Sequence, residues 1–478
     1  MNVDLARIQF SSTTIYHFLF VPITIGVAFL VAILQTMWHR SGNPDHRRLA
    51  RFFGTLLVIN IAIGVVTGLV QEFEFGMNWS AYSRYVGDVF GAPLAMEGLA
   101  AFFLESTFLG LWLFGWDRLP KRVHLACIWM VALGAALSAA FIMAANSWMQ
   151  HPVGYEINPT TDRPELTNIG AVFTNPVFVW GYTHVLLASL VTGTVLMLAV
   201  SAWHLRRKSS VEAFRRTAKM SIIVLVPASI LAILVGSHLG VIETTYQPMK
   251  IAAAEAQWET CQPCSFSLFQ IGGGNNDQTP TQIIEIPHLL SVLATGTWDG
   301  QVVGLNELQA QYEQQHGPGN YVPNVFIQYW GMRVMAYLGT AIVLLALWGA
   351  WVVHRRKLER ARWFLAIATW AVVAPFIMNT AGWLLTESGR QPWIVQGLMR
   401  TEDGVSPSVS ETEIWISLFI FILLYAALAA AAGFLMVRYA RRPLPEDGQD
   451  DHGPHDTSDD ASPGDADAEA DRVSVLTY

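Results

Sequence analysis

Residues 177–203 read VFVWGYTHVLLASLVTGTVLMLAVSAW, 27 positions in which His184 is the only His, Lys, Arg, Asp or Glu. A helix needs about 20 apolar residues to cross about 30 Å of hydrocarbon, so this stretch is long enough to span a membrane. Its β-branched and aromatic residues do not argue for a strand, because an isolated strand cannot satisfy its backbone in lipid. Eight more stretches share this character, at 13–37, 52–70, 92–115, 125–149, 221–242, 334–353, 363–386 and 414–437. The sequence therefore predicts an all-α integral membrane protein with nine transmembrane helices.

Composition agrees. As a soluble protein, 478 residues would imply about three domains. Instead 53% of residues are apolar, 14% are charged and the mean hydropathy is +0.36, against roughly 25% charged in ordinary globular chains. Eighteen Trp and 25 Phe fit lipid contact and interfacial belts. Three cysteines exclude a disulfide-stapled secreted domain. The net charge of −8 arises in the last 36 residues, which hold eleven acidic residues and one Arg, leaving the body at +2. Nothing in that body predicts nucleic-acid binding.

Lys and Arg set the orientation. The connections 39–51, 116–124, 204–219 and 354–362, with 438–442 after the last span, carry 21 of the 29 positive residues. The alternate connections carry almost none. This predicts an N-terminus outside, a cytoplasmic C-terminus and nine crossings between them. Residues 1–12 contain Asp4 and Arg7 and lack a basic leader, so no cleavable signal peptide is expected. The parts expected are 1–242 with helices 1–6, a long outer loop at 243–332 between helices 6 and 7, 333–442 with helices 7–9, and a disordered acidic tail at 443–478. A loop as long as 243–332 is usually functional or disordered; within it QPMKIAAAEAQWE has helical character and GGGNNDQTPTQ is polar.

Ionisable groups inside a membrane cost about 2.5–3.5 kcal/mol each and usually serve function. Here they are His17, Glu97, Glu105, His184 and His238, with Arg333 placed just before helix 7 and Glu387 just after helix 8. With the predicted orientation, His17, Glu97, His184, Met335 and Glu387 fall in one layer, within about two turns of the outer face. A layer of His, Met and carboxylate is what metal or haem ligation near one face requires. Singly, each has a plainer reading: a membrane His is commonly a packed, hydrogen-bonded residue, and Met is ordinary filler. Glu97 and Glu105 weigh more. Eight residues apart, they lie about 12 Å apart along one helix, as a ligand or proton carrier above a proton relay. His238 at its helix end is expected to be structural. His39, His46, His124, His204 and His354 are expected to be solvated. Cys261 and Cys264 form CQPC, for which a structural disulfide, or none, is favoured over catalysis; Cys127 is expected to be packing.

Three motifs then carry a resemblance. They are RIQFSSTTIYHFLFVPITIG around His17, GLVQEFEFGMNWSAYSRYVGDVFGAPLAMEGLAAFFLESTFLGLWLFGWDRL around both glutamates, and GWLLTESGRQPW at the eighth helix. With them the chain resembles subunit I of cytochrome bd-type quinol oxidases from about residue 5 to 437. The resemblance implies low-spin haem b, high-spin haem b and haem d. It implies that His184 and Met335 ligate the low-spin haem b iron, His17 and Glu97 the haem d iron, and Glu387 the high-spin haem b iron. Arg333 and Arg390, with Trp393 of the third motif, are implied to lie near the haems. Glu105, with Ser138 as a polar neighbour, is implied to lie on a proton route. Lys250 and Glu255 are implied to act on the quinol headgroup, contacting opposite sides of one pocket. The expected activity is quinol oxidation at the outer face and reduction of O2 to water with cytoplasmic protons, building a proton motive force without a pump. A second membrane subunit, small single-span subunits, menaquinol or ubiquinol, O2 and lipid are the expected partners, in a bacterial cell membrane. The chain departs from some family members in its short quinol loop and its CQPC.

Two other classes compete. A proton-coupled carrier would need inverted repeats and broken helices at the midplane, and neither is evident. A cytochrome b-type relay without oxygen chemistry would need paired histidines at matched depths, which this mixture of His, Met and Glu does not supply.

Overall fold

The computed structural model describes residues 2–444; the acidic tail lies outside the described residues from 445 onward. Among the described residues, nine helices are long and apolar enough to cross a membrane. They are Val3–Ser41, Pro44–Met77, Ser80–Phe114, Lys121–Gln150, Pro176–Arg207, Val211–Tyr246, Val325–His354, Arg362–Gly389 and Glu411–Ala440, here spans 1 to 9.

Each span is longer than its apolar run, and at four of the starts a polar cap sets the end. Asn43, Asn175, Asn324 and Ser410 each accept a backbone N–H of the first turn, satisfying donors that helix geometry leaves orphaned. Pro44 and Pro176 follow at the first helical position, where a missing N–H costs nothing. The extension moves two residues that matter: Arg333, expected just before span 7, lies inside it, two turns past Val325, and Glu387, expected just after span 8, lies within its last turn. Two spans break, and each break precedes a proline by about one turn. Span 1 pauses between Phe18 and Val21, ahead of Pro22, and span 8 between Trp370 and Val373, ahead of Pro375. Proline lacks an N–H and its ring crowds the carbonyl four residues back. In span 3, Pro93 is followed by a wide π-helical segment at Glu97–Phe102.

Span 5 is the centre of the bundle, with 72% of its apolar window buried, whereas spans 3 and 9 bury 6% and 17%. Spans 1 and 5 meet backbone to backbone: a Cβ at Gly193 would stand 2.6 Å from the Gly26 carbonyl carbon, so small residues permit the approach.

The solvated reading of the basic-loop histidines fails for three of the five. His46, His124 and His204 are buried. His124 Nδ1 accepts from Gln35 Nε2 at 2.8 Å, and its Nε2 donates to the Trp112 carbonyl at 2.8 Å. His204 Nε2 donates to the Ala440 carbonyl at 2.9 Å while its ring stacks on Phe214. Helices that continue past the apolar runs carry these residues into packed ends, where each imidazole finds partners. His238 packs against Trp180.

Between spans 6 and 7, residues 247–324 form an ordered unit. The predicted helical stretch is the helix Pro248–Ala254. Strands Phe266–Ile271 and Thr281–Ile286 pair antiparallel, Phe266 opposite Ile286, and the polar GGGNNDQTP forms their connection. Helices Leu289–Thr295 and Leu305–His316 follow. Cys261 and Cys264 form a disulfide, and Cys261 pairs with Val302 through a β-bridge. Met249, Trp258, Leu305, Tyr321, Tyr329 and Trp393 share the core that seats this unit on span 7.

Candidate functional site

Helix geometry first fixes how each sequence-predicted ligand is presented. His17 stands in the last turn before the break in span 1. Its Nδ1 lies 2.9 Å from Thr67 Oγ1 of span 2. The Thr67 hydroxyl already donates to backbone carbonyls of Ile63 and Gly64, so it can only accept from the ring. With that hydroxyl proton turned to either carbonyl, Nδ1 carries the ring proton and Nε2 keeps its lone pair, the arrangement a metal-ligating imidazole needs. Glu97 opens the π-helical segment, and Ser138 Oγ of span 4 donates to its Oε1 at 2.6 Å. π-Bulges frequently mark functional sites. Ser138 thus meets Glu97, while Glu105 packs against the same helix one turn away, where a Cβ at Gly134 would stand 2.9 Å from the Glu105 nitrogen.

His184 lies on span 5 against span 6. The Ala232 carbonyl is close enough to interact with the ring, but Nδ1 is buried and makes no hydrogen bond of good geometry. Three of the candidates face a glycine across a helix contact. A Cβ would stand 2.9 Å from His184 Cε1 if placed at Gly236, 3.1 Å from His17 Cε1 at Gly68, and 3.3 Å from Met335 Sδ at Gly382. Glu387 accepts from Asn146 Nδ2 at 2.8 Å and from Arg390 Nη2 at 2.6 Å. Arg390 Nε and Nη1 and Trp393 Nε1 are buried without partners.

Among the described residues, no three His, Cys, Asp or Glu converge in a way that could hold a bare metal ion. The candidates stand singly, as axial ligands of a planar macrocycle do. The residues fit haem: glycines make room beside ligand side chains, and free buried donors suit an anionic edge.

The loop residues are brought into two separate ion pairs instead of one pocket. Lys250 Nζ donates to Glu243 Oε2 at 2.8 Å and Gln150 Oε1 at 2.5 Å. Arg333, wholly buried, donates to Glu255 Oε2 at 2.6 Å and also to the Ala254 and Ser267 carbonyls. Its guanidinium lies 3.8 Å from the centre of the Tyr329 ring. Burial pushes the Glu255 carboxyl above its ordinary range, with Arg333 pulling the other way. Beside this pair is a cavity of about 310 Å³ lined by Ala256, Phe269, Gln270, Tyr329 and Trp330.

Several buried polar residues escaped sequence reasoning. Asn146 and Gln150 sit one turn apart in an apolar run, a signal that could have been noticed. Glu243 falls just past the run 221–242. Glu74 falls past the run 52–70 yet is still helical and fully buried; Gln9 faces it, but neither carboxylate oxygen makes a hydrogen bond of good geometry.

Known proteins share this sequence and this fold. A family model described as "Cytochrome bd terminal oxidase subunit I" matches residues 5–444. The chain is 44% identical to cytochrome bd ubiquinol oxidase subunit 1 of Bacillus subtilis, covering 94% of this chain and 95% of that one. It is 36% identical to cytochrome bd-II ubiquinol oxidase subunit 1 of Escherichia coli, covering 92% and 96%. The solved bd oxidase of Geobacillus thermodenitrificans superposes with a TM-score of 0.84 at 30% identity, over 92% of this chain and 98% of that chain. The match over residues 5–444 and the identity to these relatives show that the chain belongs to the cytochrome bd terminal oxidase subunit I family.

Proposed function

We propose that this chain oxidises quinol at the unit between spans 6 and 7 and reduces O2 to water within the bundle, as a multi-pass subunit of a respiratory oxidase in a bacterial cytoplasmic membrane. His184 and Met335 hold low-spin haem b, His17 and Glu97 hold haem d, and Glu387 holds high-spin haem b. Arg390 and Trp393 donate to propionates, and Arg333 acts there through its pair with Glu255. Bound there, the haems supply reversible one-electron chemistry and the place where O2 is reduced.

The protein's own groups direct the protons. Glu255 accepts a proton from quinol; its buried carboxyl, raised in pKa, is a better base toward a weak acid than an exposed one. Lys250, held by Glu243 and Gln150, presents its charge to the headgroup. Glu105 holds protons arriving from the cytoplasmic side, and Ser138, one turn along span 4 from the Glu105 contact and bonded to Glu97, lies on the same route. The N-terminus is outside and the C-terminus cytoplasmic, in keeping with the basic connections. Quinol protons leave outside and oxygen protons enter from inside, so charge separates without a pump; each charge moved against 100 mV is worth about 2.3 kcal/mol. The parts are spans 1 to 6, the quinol loop of 247–324, spans 7 to 9 and the acidic tail. A second membrane subunit and small single-span subunits complete the enzyme, with menaquinol or ubiquinol as donor. Spans 1 and 8 do break, as a carrier's helices would, but membership of an oxidase family leaves a carrier or a haem b relay not favoured.

The observation that carries the reading is that His17, His184 and Met335 each face a glycine across a helix contact, in a chain of this family. The test of the proton route is Glu105→Gln in the purified complex. Oxygen consumption should fall sharply while haem content holds. Unchanged consumption removes Glu105 from the route.

A further inference from the structure

Span 4 ends in AANSWMQ, residues 144–150. Asn146 and Gln150 stand one turn apart on one face and are both buried. They join two sites treated separately above. Lys250 Nζ donates to Gln150 Oε1 at 2.5 Å. Gln150 Nε2 donates to Asn146 Oδ1 at 2.9 Å. Asn146 Nδ2 donates to Glu387 Oε1 at 2.8 Å. Arg390 Nη2 closes the other carboxylate oxygen at 2.6 Å.

Every donor in this chain points the same way, from ammonium to carboxylate. The direction is forced by the ends. Lysine can only donate and an ionised carboxylate can only accept, so each amide must turn its oxygen toward Lys250 and its nitrogen toward Glu387. Bonds aligned in this way polarise one another where water is excluded. Amides neither take up nor release protons near neutral pH, so the chain transmits orientation and field, not protons. Its loop end cannot drift. Gln247 Nε2 donates to the Gln150 carbonyl at 2.5 Å, Glu243 holds the ammonium, and the Lys250 stem lies so close to Gly389 that a Cβ there would stand 2.5 Å from Lys250 Cγ.

We propose that Gln150 and Asn146 are positioning residues that tie the loop cation Lys250 to the Glu387 carboxylate, so that a change at the quinol site is felt at the iron Glu387 would hold. This rests on the roles given to Lys250 and Glu387 above.

The test is a reductive titration of the purified complex, following the high-spin and low-spin haem bands separately. Four forms are compared: unsubstituted, Lys250→Met, Gln150→Leu and the double variant. Losing the cation leaves Glu387 more electron-rich, which favours ferric iron. Lys250→Met should therefore lower the high-spin midpoint by about tenfold in its reduction equilibrium, or about 59 mV for one electron. In the Gln150→Leu background the same substitution should move nothing. The low-spin midpoint should stay fixed throughout. If Gln150→Leu does not assemble, Asn146→Leu cuts the next link and should cancel the shift equally. An equal shift in both backgrounds, or none in either, overturns the proposal. Glu387→Ala, titrated alongside, separates the two failures. If its high-spin spectrum is unaltered, the ligand role falls and the coupling with it. If that spectrum changes but the Lys250 effect ignores Gln150, the coupling alone is wrong.

Discussion

Gly236→Ala places one methyl group on span 6 against the His184 ring. The new Cβ would stand 2.9 Å from Cε1 and 3.2 Å from Nδ1. Carbon atoms rest at about 3.5–4.0 Å, so the ring must retreat by roughly 0.6 Å or span 6 must move away. Helix propensity works in the opposite direction, since Ala in place of Gly within a helix stabilises by about 0.5–1 kcal/mol. A loss therefore cannot be blamed on the helix itself. Overfilling a packed interior costs about 1–3 kcal/mol, which corresponds to about 5–150-fold in a coupled equilibrium. That cost should fall on ligation by His184, the group displaced. Gly240, one turn further along, supplies the control: a Cβ there would meet only the Leu293 carbonyl at 3.5 Å, an ordinary contact. The assay is the low-spin haem band per polypeptide in detergent-purified complex, with its midpoint potential. Gly236→Ala should lose much of that band or shift its midpoint, and Gly240→Ala should match the unsubstituted protein. Equal spectra from the two variants would refute the proposed role of His184 in holding haem.

Two further outcomes are expected. Glu255 must be ionised to accept a quinol proton, so kcat/KM for quinol should rise as pH rises through its elevated pKa, and Glu255→Gln should abolish that limb. The stability sign is opposite: a carboxyl whose folded pKa is raised stabilises at low pH and loses that contribution as pH climbs through the folded value, so protease resistance of the loop should fall across the same window, and a rise would contradict the burial argument. The Cys261–Cys264 bridge closes a ring of sequence separation 3, for which loop-closure entropy gives about 2 kcal/mol. The Cys261→Ser, Cys264→Ser pair should cost the loop about that much stability, measured by denaturant unfolding, and leave turnover intact; lost turnover in a stable loop would make the pair a working redox couple.

Much of this was legible in the residues themselves. Lipid forces helices on any long apolar run, so stretches such as 177–203 revealed a span each. Ionisable side chains are so costly in hydrocarbon that His17, Glu97, Glu105 and His184 stood out without a structure. What stayed hidden depends on neutral or terminal groups. Apolar runs mark hydrocarbon thickness, not helix length, so Arg333 and Glu387 are expected outside the helices that contain them, and Glu74 goes unnoticed. Asn146, Gln150 and Thr67 carry no charge, and their meaning comes from partners on other spans. Nor could spacing along one helix reveal that Lys250 and Glu255 turn to different partners, Glu243 and Arg333. The buried His124 and His204 make the same point: a basic neighbourhood in sequence does not fix the local packing.

The central claim is that these side chains hold haem iron, and the visible spectrum of the purified complex tests it most directly. Unsubstituted protein should be coloured, with a low-spin haem b and high-spin haems that change on reduction, and His184→Ala should remove the low-spin contribution while the polypeptide remains folded. Colourless, well-folded material, or a His184→Ala variant that keeps every band and still reduces, would contradict the account.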